Sequence, residues 1–197
     1  MLNWKKKRKK LLHKSNPEKF FASLDLIPLS EIKNKDNLVN TFKCSKNLDL
    51  EEYLSQKAID SDERGNAKTH VLINNQLQIP EIVGYFTLTI KPILTDGISK
   101  EMIKKIDGFS KDRKCIYFYL IGQLGLSDKY IGSNLGYLLL FSAIDMIERT
   151  QKIIGGRYIL VDAFNCKAVV EFYNRNGFTK LITSEDDLIS IKMIYKM

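Results

Sequence analysis

The stretch of sequence that decides the fold is CIYFYLIGQLGLSDKYIGSNLG, residues 115–136. Its first part, residues 115–126, is nearly unbroken in apolar residues, which predicts a central strand covered on both faces. Gly122 and Gly125 destabilise such a strand unless the backbone bulges or another group approaches closely. A loop of small and polar residues follows, and then a helix begins at Leu135. The stretch therefore predicts a strand, a loop and a buried helix in that order.

The loop between strand and helix covers residues 127–136. A loop that opens a helix leaves several backbone N–H groups unpaired, and with the helix dipole they form a site for a pyrophosphate. Gly132 and Gly136 let the main chain approach phosphates without a side chain intervening. Short glycine loops are also common before helices, so a plain tight turn stays open as an alternative at this point.

Working outward from this stretch, alternating and β-branched segments predict further strands. The predicted strands cover residues 27–29, 70–73, 82–90, 115–126, 157–161, 178–182 and 189–195. The predicted helices run from a cap at Asn47 or Asp49 to just before Arg64, and over residues 99–106, 135–149 and 168–176, with Gly177 as a left-handed cap. This order predicts an α+β (mixed α/β) fold.

The composition is that of a soluble globular protein, with 44% hydrophobic and 27% charged residues in a chain of 197. No apolar run approaches the length that crosses a bilayer, and only Leu11 and Leu12 follow the basic N-terminus, so we expect neither a membrane span nor a secretory signal. Three widely spaced cysteines, Cys44, Cys115 and Cys166, match neither a disulfide framework nor a zinc site. We therefore expect a cytoplasmic, metal-free protein.

The net charge of +8 is concentrated at the N-terminus. Residues 1–15 hold seven of the 31 basic residues and no acidic one, so the remaining 24 face 23 acidic residues. We expect residues 1–15 to be a disordered basic tail and residues 16–197 to form a single domain. Binding of the tail to RNA or to an anionic surface by counterion release is the alternative.

The second half of the chain completes the pattern with Asn165, after a predicted strand, and with EFYNRNGF at residues 171–178. The order IGSNLG at 131–136, then Asn165, then Tyr173 with Gly177-Phe178 resembles the GNAT N-acetyltransferase superfamily over roughly residues 42–182. The resemblance implies a central mixed, mostly antiparallel, splayed sheet with helices on both faces. It also implies transfer of acetyl from acetyl-CoA directly to a primary amine.

In the GNAT family the loop pattern Gln/Arg-x-x-Gly-x-Gly/Ala holds the pyrophosphate of acetyl-CoA. Here Ile131 stands in place of the Gln or Arg, and Asn134 in place of a glycine, although asparagine tolerates positive φ better than most residues. By the resemblance Tyr173 is the general acid that protonates the departing thiolate. The cofactor-binding set that the resemblance implies is Leu124, Leu126, Ile131, Gly132, Ser133, Asn134, Leu135, Gly136, Asn165 and Tyr173.

No general base identifies itself in the sequence. Asp162, Glu81 and His70 are conceivable bases, but each also fits an ordinary structural role. Cys166 lies beside Asn165, yet direct transfer is usual in the family, so we interpret it as a small packing residue.

The segments around Phe42 and Cys44, GNAKT at 65–69, VGYFTL at 83–88 and residues 120–126 resemble the GNAT branch that includes toxins of toxin–antitoxin pairs. These toxins acetylate the amino acid on charged tRNA. The resemblance leaves open charged tRNA as the acceptor and an antitoxin protein as a partner. The apolar girth of the helix over residues 135–149 and the final strands would permit a homodimer, although core packing explains them equally well. A domain that binds coenzyme A without turnover is a second alternative.

Overall fold

The computed structural model describes residues 23–183 and 189–197. The strands are β1 (Leu24–Pro28), β2 (Lys68–Asn74), β3 (Glu81–Leu94), β4 (Cys115–Leu126), β5 (Tyr158–Phe164), β6 (Thr179–Lys180) and β7 (Ser190–Lys196). The α-helices are α1 (Lys35–Leu38), α2 (Leu48–Glu52), α3 (Ala58–Glu63), α4 (Lys100–Asp107), α5 (Leu135–Ile154) and α6 (Lys167–Arg175). A π-helical segment, Tyr53–Lys57, joins α2 to α3. Short 3-10 turns occupy Leu29–Glu31, Val39–Thr41 and Asp128–Tyr130.

The strands form one sheet in the order β1-β2-β3-β4-β5-β7-β6. The β4–β5 pair is parallel, whereas β1–β2, β2–β3, β5–β7 and β6–β7 are antiparallel. The mixed, mostly antiparallel sheet expected from the sequence is thereby confirmed. The register of β4 with β5 covers only Tyr119–Ile121 opposite Ile159–Val161, although both strands continue beyond it.

The described chain divides into two compact units, and each takes residues from both halves of the sequence. The first comprises residues 23–88 and 123–143. Its core includes Phe42, Leu54, Val71 and Tyr85, each with an exposed fraction of 0%. β1 is the edge strand, and its last residue, Pro28, pairs with His70 at a position where proline is tolerated.

The second unit comprises residues 89–122, 144–183 and 189–197. Its core is built around Ile93, Phe118 and Leu160, which are nearly or fully buried. The Ser99 side chain caps α4 by accepting from the Met102 amide at 3.2 Å, which supports the predicted helix at this position.

Several element boundaries differ from the sequence prediction, among them those of α5 and β6. α5 continues past Arg149 to Ile154 and ends where Gly155 and Gly156 adopt φ of 80° and 106°. Glycine reaches these angles without a Cβ clash, so the glycine pair, rather than the change in polarity after Arg149, ends the helix. The strand predicted over residues 178–182 is shorter and covers Thr179–Lys180 alone.

Several other predictions can be placed against the described residues. The basic tail, residues 1–15, lies outside them, and the single domain over residues 16–197 stays a prediction. No helix in residues 23–183 and 189–197 is long and apolar enough to cross a membrane. The three cysteines are free thiols, with Cys44 buried and the other two partly buried.

Candidate functional site

The end of β4 is packed tightly from within the first unit. A Cβ added to Gly125 would lie 3.0 Å from ring atoms of both Phe42 and Tyr85. The glycine that the sequence marked as unfavourable in a strand is therefore explained by two aromatic rings that approach its backbone. The neighbouring residues Leu124 and Leu126, predicted to bind the cofactor through their main chain, are half-buried.

The chain leaves β4 through a turn that is held by several hydrogen bonds. The Ser127 amide donates to the Val83 carbonyl at 2.8 Å, and the Asp128 amide donates to the Lys43 carbonyl at 2.9 Å. The Asp128 carboxylate in turn accepts from the Ser45 amide at 2.9 Å. The entrance to the loop is thus fixed to the start of β3 and to the segment that precedes α2.

Two residues of the loop adopt left-handed backbone conformations, Gly132 with φ 87° and Asn134 with φ 63°. Asn134 is the one non-glycine residue with positive φ in the described part of the chain. Asparagine tolerates this region better than other residues with a side chain, so the expectation that the turn survives the exchange of glycine for asparagine is confirmed. Both residues and Ile131 are exposed, and Ser133 is half-buried.

The loop delivers its backbone amides to the N-terminus of α5. The Asn134 carbonyl accepts the first helical hydrogen bonds, from Tyr137 at 3.1 Å and from Leu138 at 3.4 Å. The amides of Leu135 and Gly136 precede Tyr137 and therefore have no carbonyl within the helix to pair with. Amides in this position, together with the helix dipole, attract an anion.

Tyr173 belongs to the second unit and lies near the C-terminal end of α6. Its carbonyl accepts hydrogen bonds from the amides of Asn176, at 3.0 Å, and Phe178, at 3.1 Å, while Gly177 takes φ 88°. This is the left-handed helix end predicted at Gly177. The Tyr173 ring contacts Phe172 and Phe178 edge-on, with centroid distances of 5.2 and 5.3 Å.

Burial raises the pKa of the Tyr173 phenol well above its usual range. The side chain is 8% exposed, so at neutral pH the phenol keeps its proton and is able to donate it. Asn165, also in the second unit, is exposed, and its amide donates to the Ile189 carbonyl at 2.8 Å. The predicted site residues therefore fall on both units, with residues 124–136 on the first and Asn165 and Tyr173 on the second.

Each of the three conceivable bases makes a contact within the protein. Asp162 is 2.7 Å from the Lys91 ammonium. Burial would raise the pKa of Glu81, but hydrogen bonds from Lys129 and Tyr130 lower it below its usual range. Burial lowers the pKa of His70, which stacks on Phe86 at a centroid distance of 5.2 Å. Cys166, half-buried at the start of α6, fits the predicted packing role.

A cavity of about 330 Å³ lies in the second unit and contains none of the predicted site residues. Two arginines line it, and both are engaged at the end of α4. The Arg113 Nε donates to Asp107 at 2.9 Å, and the Arg157 Nη1 donates to the Ile106 carbonyl at 3.2 Å. These contacts stabilise a helix C-terminus. Among the described residues, no group of three or more His, Cys, Asp or Glu side chains could hold a metal ion.

The contact between Tyr130 and Glu81 is the part of the site that sequence reasoning missed. The Tyr130 hydroxyl donates to Glu81 Oε1 at 2.7 Å across 49 positions of sequence. The Thr87 hydroxyl likewise accepts from the Gln123 amide at 2.8 Å. Thr87 stands between the apolar residues Phe86 and Leu88, which is a local signal for its own contact, but no local signal indicates the contact between Tyr130 and Glu81.

No protein-family model matches the sequence. Among solved structures, KacT in a tyrosine-to-phenylalanine mutant form aligns with a TM-score of 0.71 at 19% identity, covering 88% of this chain and 95% of that chain. The toxin AtaT complexed with acetyl-methionyl-tRNAfMet aligns at 0.69 and 20% identity, over 85% and 93% of the two chains. A tyrosine-to-phenylalanine mutant of AtaT, bound to the C-terminus of the antitoxin AtaR and to acetyl-CoA, aligns at 0.67 and 18%, over 88% and 93%. The chain thus has the GNAT fold that its sequence resembles.

Proposed function

We propose that this protein is a cytoplasmic N-acetyltransferase that transfers acetyl from acetyl-CoA directly to a primary amine. The observation that carries the proposal is the pair of left-handed residues, Gly132 and Asn134, immediately before α5. They occur on a fold shared with an AtaT structure that contains acetyl-CoA. The loop leaves backbone amides in front of a helix N-terminus, and this arrangement suits a pyrophosphate.

The residues of the loop fit coenzyme A by their chemistry. Gly132 has no atom within 4 Å of an added Cβ, so its glycine serves the backbone conformation and leaves the main chain open. The amides of Gly132 and of residues 134–136 would bind the pyrophosphate, since the Ser133 amide already donates to the Tyr130 carbonyl at 3.2 Å. Main-chain groups at Leu124 and Leu126 would bind the pantetheine arm. Acetyl-CoA, when bound, supplies an activated acetyl thioester.

In the proposed reaction the amine nitrogen attacks the thioester carbonyl carbon, the bond between carbon and sulfur breaks, and the nitrogen releases its extra proton to solvent. Tyr173 donates its phenolic proton to the departing sulfur, and solvent later returns a proton to the phenolate. The raised pKa keeps Tyr173 protonated until the thiolate develops. Because the conceivable bases serve structural contacts, we assign no general base, and an amine of low pKa would need none.

A charged tRNA is the second candidate for the acceptor, and one observation favours it. AtaT, which shares the fold, has been captured with acetyl-methionyl-tRNAfMet. The α-amine of an amino acid esterified to tRNA has a low pKa, which agrees with a site in which we assign no general base. Under this alternative the protein would be a toxin, and an antitoxin protein would be its partner.

The test is transfer of labelled acetyl from acetyl-CoA, offered separately to bulk charged tRNA and to a pool of amines and peptides. We expect label in one of them and a loss of roughly 100-fold or more in kcat for Tyr173→Phe. The matched control is Tyr117→Phe, because Tyr117 is 68% exposed in the same unit. Label on charged tRNA selects the toxin, and label in the amine pool alone excludes it. Binding of acetyl-CoA without any transfer would refute the proposed acetyltransferase activity and favour a domain that binds coenzyme A without turnover.

A further inference from the structure

A group of four polar side chains in the first unit lies directly before the loop, and the proposed reaction uses none of them. We call it the Glu81 cluster, which comprises Asn74, Glu81, Lys129 and Tyr130. The Tyr130 hydroxyl donates to Glu81 Oε1 at 2.7 Å and accepts from Asn74 Nδ2 at 3.3 Å. The Lys129 ammonium is 2.5 Å from Glu81 Oε2. Both carboxylate oxygens of Glu81 are therefore occupied.

The cluster joins the turn end of the β2–β3 hairpin to the loop. Asn74 is the last residue of β2 and Glu81 the first of β3, and the two are partners in the antiparallel register. Lys129 and Tyr130 belong to the 3-10 turn that ends one residue before Ile131. Contacts at the turn end of the hairpin thus fix the residue from which the loop departs.

The same tyrosine continues the connection through its backbone. The Tyr130 carbonyl accepts from the Ser133 amide at 3.2 Å and also from the Ser133 hydroxyl. Ser133 lies between the two left-handed residues, Gly132 and Asn134. Tyr130 therefore connects Glu81, through its hydroxyl, to Ser133, through its carbonyl. Ser133 is the residue between the two positive-φ positions of the loop.

We propose that Glu81 is a positioning residue for coenzyme A, which holds the loop in its binding conformation through Tyr130 and Lys129. This inference rests on the proposed function, because that function assigns the loop to the pyrophosphate. Ile131 stands where the GNAT pattern has a Gln or Arg that could support the loop, so this chain needs another support. A loop ordered before binding loses less conformational entropy when the ligand arrives, and its affinity is higher.

The contacts favour positioning over a role for Glu81 as the general base. Its side chain is only 13% exposed and its two oxygens already accept from Tyr130 and Lys129. Uptake of a proton from the amine would remove the charge that pairs with Lys129 and would turn one of the two acceptor oxygens into a donor. The cluster therefore acts on binding of the coenzyme and leaves the chemical step unchanged.

The experiment measures the Kd of acetyl-CoA by calorimetry, and KM and kcat where turnover is found. For Tyr130→Phe and Glu81→Ala we expect Kd and KM to rise about 10-fold, the equivalent of one charged hydrogen bond, with kcat within about twofold of wild type. Glu81→Gln keeps a carbonyl oxygen for the Tyr130 hydroxyl and should recover part of the affinity. Asp60→Asn, which breaks the exposed 2.7 Å Asp60–Arg64 pair of the same unit, is the control and should leave Kd unchanged.

Thermal unfolding of each variant shows whether it is folded. If Glu81→Ala does not fold, the Kd of Tyr130→Phe alone decides the result. An unchanged Kd in folded Tyr130→Phe overturns the inference, as does a fall in kcat with Kd unchanged. These outcomes leave the proposed function standing because the wild-type chain still binds the coenzyme. Failure of the wild type to bind acetyl-CoA would sink the proposed function and this inference together.

Discussion

Phe178 lies edge-on against Tyr173, with the ring centroids 5.3 Å apart and an interplanar angle of 65°. The turn at Gly177 creates this contact, because its left-handed backbone brings the Phe178 amide to the Tyr173 carbonyl. Phe178 is 1% exposed and also contacts Tyr195 at a centroid distance of 5.3 Å. The buried ring thus packs against the phenol to which we assign the acid role.

Phe178→Ala should reduce the free energy of unfolding by about 3–5 kcal/mol, because it removes a buried ring and leaves a cavity. In the variant that is still folded, kcat should also fall, since the Tyr173 ring loses one of its neighbours. Denaturant unfolding and initial rates at low temperature measure the two effects. Phe109→Ala is the control, as Phe109 is 90% exposed in the same unit. A cost below about 1 kcal/mol for Phe178→Ala would contradict the packing role.

The sequence predicts those parts of the fold that local chemistry determines. The bounds of β4, Cys115–Leu126, agree with those of the apolar run. The expected cover on both faces is incomplete, because Tyr117 in this strand is 68% exposed. The positive φ of Asn134 follows from the residue type that replaces a glycine in the loop pattern. Gly177 ends α6 as expected.

Contacts between distant segments leave no such trace in the sequence. Nothing near Tyr130 indicates that its hydroxyl is bonded to Glu81, because the pairing depends on how the β2–β3 hairpin lies against the loop. The π-helical segment Tyr53–Lys57 is likewise not predicted, since helical periodicity gives no sign of one extra residue in a turn. Tertiary structure decides these features.

The backbone conformation of the loop can be tested by adding a single methyl group. Gly132→Ala should cost about 1–2 kcal/mol of stability, because alanine is unfavourable at φ 87° and nothing within 4 Å would clash with its Cβ. The Kd of acetyl-CoA should rise as well, because the loop shifts to relieve the strain. Gly65→Ala is matched to it, with φ 75°, an equally open site and the same unit. We expect a similar loss of stability there without a change in Kd, and equal Kd for both variants would contradict the assignment of the loop.

Two glycines of the first unit should differ in their tolerance of alanine. A Cβ at Gly84 would lie 2.7 Å from the Gly125 carbonyl oxygen and 2.5 Å from Leu139 Cδ1, whereas a Cβ at Gly125 meets two aromatic rings at 3.0 Å. A backbone oxygen cannot move aside as a side chain can, so Gly84→Ala should be the more destabilising. We expect about 1–3 kcal/mol for Gly125→Ala and more for Gly84→Ala in denaturant unfolding. A larger loss of stability for Gly125→Ala than for Gly84→Ala would contradict this prediction. It would show that the Phe42 and Tyr85 rings move aside less easily than the backbone at Gly125.

Two tyrosines, Tyr85 and Tyr173, have pKa values raised well above the usual range by burial. Tyr85 is fully buried, and its hydroxyl donates to the Leu50 carbonyl at 2.7 Å. In the unfolded chain a tyrosine loses its proton near pH 10, whereas the folded protein retains both protons above that pH. The stability that these groups provide is therefore complete below about pH 10 and declines as the pH rises toward the folded pKa.

Tyr173→Phe should remove one of these two titrations. Between pH 10 and 11 the free energy of unfolding should fall less steeply in the variant than in wild type, by up to about 1.4 kcal/mol per pH unit, because one fewer proton is lost on unfolding. Denaturant unfolding at half-unit steps from pH 8 to 11 measures the two slopes, and the curves should be parallel below pH 9. Tyr117→Phe is the control, since it also removes one tyrosine hydroxyl, at a residue of the same unit that is 68% exposed. A slope for Tyr173→Phe equal to that of wild type above pH 10 would contradict this prediction. It would mean that the Tyr173 phenol ionises as readily in the folded protein as in the unfolded chain. The acid that we assign to the departing thiolate would then lose its proton in the ordinary tyrosine range.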